Sequence, residues 1–167
     1  MMHTGVIDQV DEVRWDIRPS PRFGTLEMRI ADGAANLLEV TAISALTHCF
    51  VEHFSTLIDA GERLPTMPPW FVQENKWRSA RYGMDAIVIT NAAGDEELVT
   101  DSVSRWVAEL APVADRLGCA AELEQVRTIL RRGASYQRQR AVARRHAGEL
   151  EPVVRSLVAE LAAGRPQ

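Results

Sequence analysis

The segment from Leu37 to Ile58 constrains the fold most strongly, because it is long, apolar on nearly every side and free of proline and glycine. Such a stretch is predicted to be a buried helix. Asn36 stands where a side-chain oxygen can cap the amino end, and Gly61 stands where a left-handed residue can close the carboxyl end. Glu39, His48, Glu52 and His53 interrupt it, which argues against a membrane span. A chain of 167 residues supports one core around this helix. Its 46% apolar and 25% charged residues remove the compositional basis for disordered or collagen-like classes.

Short strands are predicted ahead of that helix. From Arg14 to Ile30 the side chains alternate with the period of two that a strand requires, broken at Pro19-Ser20-Pro21-Arg22-Phe23-Gly24. Alternation sends Arg14, Asp16 and Arg18 to one face and Val13, Trp15 and Ile17 to the other. In the second strand Thr25, Glu27 and Arg29 share a face opposed to Leu26, Met28 and Ile30, so one sheet face is ionic and the other is expected to be core. By charge alternation alone, the ionic face reads as a solvated surface with cross-strand ion pairs.

Beyond the first long helix, the prolines of Leu64-Pro65-Thr66-Met67-Pro68-Pro69 break regular structure. Trp70 to Tyr82 is predicted helical and closed by Gly83. Ile87-Val88-Ile89-Thr90 and Leu98-Val99 are predicted to form a hairpin around Asn91 to Gly94. From Asp101 onward apolar residues recur at helical spacing, punctuated by Gly118, Gly133 and Gly148, with Pro152 in a first helical turn. The chain is thus expected to be one α+β domain or domain fragment. It comprises a strand region over 1–35, buried and motif helices over 36–82, and a hairpin with carboxy-terminal helices over 83–167.

Basic residues are distributed unevenly. Between Arg127 and Arg145 stand seven arginines and no acidic residue, while the whole chain carries a net charge of -4. Such a face suits an anion, whether nucleic acid, phosphate or a neighbouring acidic surface. Without a recognised motif or an interleaved aromatic platform, nucleic acid is the weakest of these. Cys49 and Cys119 lack the short-range partners of a zinc or redox motif and read as reduced structural thiols. The four histidines have no metal-ligand spacing, and no Walker or dinucleotide loop is present. The start Met-Met-His-Thr-Gly lacks the pattern of a signal peptide, so a cytoplasmic location is the default expectation.

The wording Trp15-Asp16-Ile17-Arg18-Pro19-Ser20, then Thr25-Leu26-Glu27-Met28-Arg29-Ile30-Ala31-Asp32, resembles glutamate–cysteine ligase type 2 and related carboxylate–amine ligases of the glutamine synthetase-like superfamily. Glu74-Asn75-Lys76-Trp77-Arg78-Ser79-Ala80-Arg81-Tyr82-Gly83 and Gly133-Ala134-Ser135-Tyr136-Gln137-Arg138-Gln139-Arg140 match the same family in order. The resemblance implies the carboxy-terminal half of such a catalytic domain: a short antiparallel sheet followed by a mainly helical region. It also implies ATP and magnesium as cofactors, and amide formation through an acyl-phosphate from small-molecule carboxylate and amine substrates.

Carried onto this sequence, the resemblance makes Glu27 a magnesium ligand and Arg29 a catalytic contact to the transferring phosphoryl group. Arg18 either helps hold the nucleotide or substrate, or pairs with Glu27 or Asp16. Asn75, Arg78, Arg81, Arg138 and Arg140 are candidate substrate-binding residues. Relatives of this type are about twice as long, so an amino-terminal half, in cis or in trans, is an implied partner. The chain alone is expected to bind Mg-ATP weakly and to be inactive, and its uncovered sheet edge implies a homo-oligomer. The other reading is a non-catalytic binding or assembly module that keeps the ligase fold.

Overall fold

A computed structural model describes all residues from Met1 to Gln167. The fold is α+β, with two separate two-stranded antiparallel sheets and a majority of helix. The chain divides into two compact units, Met1–Gly33 and Ala34–Gln167.

In the first unit, strands β1 (Ile17–Ser20) and β2 (Thr25–Met28) pair antiparallel, with Arg18 opposite Glu27 and Ile17 opposite Met28. The Arg29 N–H donates to the Asp16 carbonyl at 2.7 Å and carries the ladder one step further. Pro19 lies within β1, which an edge strand tolerates because its missing donor leaves no interior ladder bond unmade. The break in pairing is therefore shorter than the proline pattern implies. It is closed by the Phe23 N–H donating to the Ser20 carbonyl and by Gly24 at φ 62°.

The two faces of this hairpin depart from the expected division into ionic surface and apolar core. Ile17, Leu26 and Ile30 are all more than half exposed, whereas the Arg18 side chain is 15% exposed. The alternation is as predicted, but what covers each face differs. The amino-terminal segment folds over the ionic side, where Arg18 Nη1 donates to the carbonyls of Asp11 and Val13, both at 3.1 Å. Within this unit no apolar layer covers the other side.

The second unit is built on α1 (Leu37–Asp59), α2 (Pro69–Tyr82), the hairpin β3 (Ile87–Ile89) with β4 (Glu96–Leu98), and five further helices. These are α3 (Val99–Glu109), α4 (Ala111–Leu117), α5 (Ala120–Arg132), α6 (Ser135–Arg145) and α7 (Leu150–Ala163). Asn36 caps α1 by accepting the Glu39 N–H at 3.0 Å. Val99, predicted at a strand end, instead opens α3, its N–H donating to the Ala86 carbonyl at 2.9 Å.

α1 is not buried all round. Ala42, Ala45 and Cys49 form its core stripe, while Leu37 and Ile58 are 64% and 59% exposed. Small residues on that stripe let α5 approach, and Leu110 and Leu123 fill the space beside them with at most 2% exposure. Each such leucine contributes about 1.5–3 kcal/mol through removal from water. Phe50 and Trp106 extend the cluster edge-to-face, with ring centroids 5.0 Å apart. Gly83 closes α2 at φ 57°, and a Cβ there would collide with the Tyr136 ring on α6. That close approach gives Gly83 a packing role besides its conformational one. No helix is long and apolar enough to cross a membrane.

Candidate active site

In the first unit, Glu27 is held from two sides. Its Oε2 accepts from Arg18 Nε at 2.6 Å, and its Oε1 accepts from Arg29 Nη1 at 2.9 Å. The cross-strand register supplies the first contact. The shared face of alternate residues supplies the second. The Arg18 hydrogen bond, with help from the charge of Arg29, holds the Glu27 carboxyl below its ordinary pKa.

Arg18 and Glu27 line a cleft of about 530 Å³ together with Asp8, Asp11, Ser20 and Arg22. Asp8, Asp11 and Arg22 were not among the sequence candidates. They lie outside the β1–β2 alternation that drew attention to Glu27: the folded amino-terminal segment brings Asp8 and Asp11 to the cleft, and the turn between β1 and β2 brings Arg22. Arg22 also lies over the Phe23 ring, 5.4 Å from its centroid.

The donor set does not by itself make a magnesium site. Both Glu27 oxygens are engaged by guanidinium groups, and no group of three or more His, Cys, Asp or Glu side chains is placed to hold a metal. Each Glu27 oxygen keeps a second lone pair and could supply one ligand beside its arginine contact, with the remaining ligands coming from phosphate or from other protein.

The remaining candidates belong to the second unit, where Asn75, Arg78 and Arg138 are engaged in structural contacts. Asn75 imitates a neighbouring strand: its Nδ2 donates to the Ile89 carbonyl at 2.7 Å and its Oδ1 accepts the Ile89 N–H at 2.8 Å. Arg78 bridges Glu74 at 2.8 Å, Glu96 at 2.5 Å and the Ile87 carbonyl at 3.1 Å, joining α2 to both strands of the hairpin. Glu74 and then Glu96 raise its pKa further.

Arg138 makes a buried network. Its Nε and Nη2 bind the two Glu160 oxygens bidentately, both at 2.8 Å, and Nη2 lies 2.7 Å from Glu39 Oε1. The Glu39 contact is an ion pair without an aligned hydrogen bond at that oxygen. Asn36 Nδ2 also donates to Glu160, at 3.3 Å, so the helix cap of α1 joins the same cluster. Burial alone would weaken proton binding by Arg138, but Glu160 and Glu39 outweigh it and raise its pKa. Glu160 was legible in part, since it occupies the apolar face of α7 shared with Val153 and Leu157. Its partner was not, because 22 residues separate it from Arg138.

Arg81 and Arg140 differ from that group. Each guanidinium lies over a tyrosine ring, Arg81 over Tyr82 at 5.7 Å and Arg140 over Tyr136 at 5.3 Å. The two tyrosines meet where the Tyr136 hydroxyl donates to the Tyr82 carbonyl at 3.4 Å and accepts the Met84 N–H at 3.1 Å. Both arginines are exposed and neither is paired with a carboxylate, so their charge faces solvent.

Comparison with known proteins identifies the family. The profile of glutamate–cysteine ligase family 2 matches residues 1–156. The chain belongs to glutamate–cysteine ligase family 2. A relative from Paenarthrobacter aurescens (strain TC1), provisionally named glutamate–cysteine ligase 2-2, is 58% identical over 164 residues, covering 98% of this chain and 43% of its own length. One from Nocardioides sp. (strain ATCC BAA-499 / JS614), provisionally named glutamate–cysteine ligase 2-3, is 61% identical over 161 residues, or 96% of this chain and 43% of the relative. A third, from Mycobacterium tuberculosis (strain CDC 1551 / Oshkosh) and provisionally named glutamate–cysteine ligase 2, is 59% identical over 158 residues, with 95% and 42% covered. This family 2 chain therefore spans less than half the length of the curated relatives it matches.

Proposed function

We propose that the chain forms part of an ATP-dependent carboxylate–amine ligase that joins glutamate to cysteine through an acyl-phosphate, and that it acts only with a complementary amino-terminal half. The observation that carries this reading is the Arg18–Glu27 pair lining the cleft, with Arg29 bound to the same Glu27 carboxylate, in a chain of this family. Glu27 offers a hard oxygen ligand, and Arg29 offers planar paired donors to a phosphoryl group. In the complete enzyme, magnesium would neutralise phosphate charge. This chain's own part is to orient Glu27 through Arg18 and to present Arg29. The solvent-facing Arg81 and Arg140 are the proposed contacts to anionic substrate, while Asn75, Arg78 and Arg138 hold the elements that carry them.

A cytoplasmic setting belongs to the same proposal, as does a homo-oligomer sealed at the uncovered hairpin. The second reading, a non-catalytic assembly module, draws on the engagement of Asn75, Arg78 and Arg138 in structural contacts. Turnover separates the two. Purified chain should release little ADP or γ-glutamylcysteine, and addition or co-expression of the amino-terminal portion of a relative should restore both products. Glu27→Gln in that complex should lower turnover by roughly 10²- to 10³-fold with folding preserved. Robust product from the chain alone would overturn the need for a second half. A stable complex with no turnover would favour the assembly reading.

A further inference from the structure

Two free thiols far apart in sequence meet in the core of the second unit. Cys49 Sγ, midway along α1, lies 3.8 Å from Cys119 Sγ, at the residue that caps α5. Cys49 is fully buried, whereas Cys119 is partly exposed. Cys119 sits in the corner between α4 and α5 behind Gly118 at φ 70°, and the space around a Cβ at Gly118 is open. The pair thus joins a residue closed to solvent to one that is partly open to it.

We propose that Cys119 and Cys49 are a modification site at which hydrogen peroxide closes an intramolecular disulfide between α1 and the start of α5. The Cys119 thiolate attacks the peroxide oxygen, the O–O bond breaks, and a sulfenic acid and hydroxide form. Cys49 sulfur then attacks the Cys119 sulfur, its proton leaves with the sulfenic hydroxyl as water, and the S–S bond forms. In sum, two thiols are oxidised by two electrons and one peroxide is reduced to two waters. Closure brings the sulfurs from 3.8 Å to about 2.05 Å. Burial, and then the neighbouring Cys119 thiol, push the Cys49 thiol up to about 11, which fits the order of events: Cys49 is the second thiol to react.

The bond would tie α1 to α5 within the principal apolar cluster. The test uses the intact chain treated with stoichiometric hydrogen peroxide, followed by digestion without reduction. A loss of about 2 Da with the Cys49 and Cys119 peptides joined in monomeric protein supports the proposal. Cys49→Ser should instead leave a sulfenic acid on Cys119, trapped by dimedone, and Cys119→Ser should leave Cys49 reduced. Disulfide-linked dimers would overturn the proposal. So would sulfinic acid on Cys119 beside a free Cys49, or no oxidation while a small thiol in the same tube is oxidised. Peptide mapping of the unsubstituted chain decides the matter even if a variant fails to fold.

Discussion

Arg18 and Glu27 stand directly opposite one another across the β1–β2 ladder, with Nε to Oε2 at 2.6 Å, while the other arm of Arg18 holds the carbonyls of Asp11 and Val13. Arg18 thus fixes the carboxylate and the segment above it together. The Glu27 carboxyl, read by carbon-13 NMR, should titrate below the ordinary glutamate value of about 4.3. A depressed folded-state pKa contributes stability above the unfolded value, and that contribution is lost as pH falls through the folded one. Arg18→Met should return the midpoint toward the ordinary value, while an unchanged midpoint would show that the Arg18 bond is not its main cause.

Arg138 should matter more to folding than to any surface chemistry. Its guanidinium is 10% exposed and faces Glu160 and Glu39, which are 2% and 5% exposed. Arg138→Met would leave two buried carboxylates without their cation, and removing one member of a buried ion pair costs about 3–5 kcal/mol. Denaturant unfolding measures the loss; a change within experimental scatter would mean that solvent reaches the cluster freely.

Asn75 offers a cleaner division between structure and binding. Its amide satisfies both backbone groups of Ile89. Asn75→Ala should destabilise the chain by about 1–3 kcal/mol and should increase hydrogen exchange at the Ile89 amide. Asn75→Asp keeps the acceptor but loses the donor, so protection at that amide should be partly retained. Equal protection in all three proteins would remove the strand-imitating role.

Cys49 should create an alkaline weakness. Its thiol is raised to about 11 in the folded chain, first by burial and then by Cys119. For a raised pKa the stabilising contribution is full below the unfolded value near 8.5 and disappears as pH climbs to the folded value. Under reducing conditions, stability between these limits should fall less steeply for Cys49→Ala than for the unsubstituted chain. Parallel pH profiles would show that the buried thiol is not protected as proposed.

Local pattern alone determined much of this protein. Period-two alternation placed Glu27 and Arg29 on one face, Asn36 marked the start of α1, and Gly83, Gly118 and Gly133 marked helix ends. These features are decided within a few residues by backbone geometry and capping, so they survive without knowledge of the fold. The ordered motifs likewise carried the family. What only the tertiary structure decided is which of many arginines are spent internally. Arg138 and Arg140 are neighbours on one helix, yet the first is buried against Glu160 and Glu39 and the second lies over Tyr136 facing solvent. The meeting of Cys49 with Cys119 and the lining of the cleft by Asp8 and Asp11 have the same origin. Each depends on contacts between segments that periodicity does not link, where packing selects which side of an element is covered.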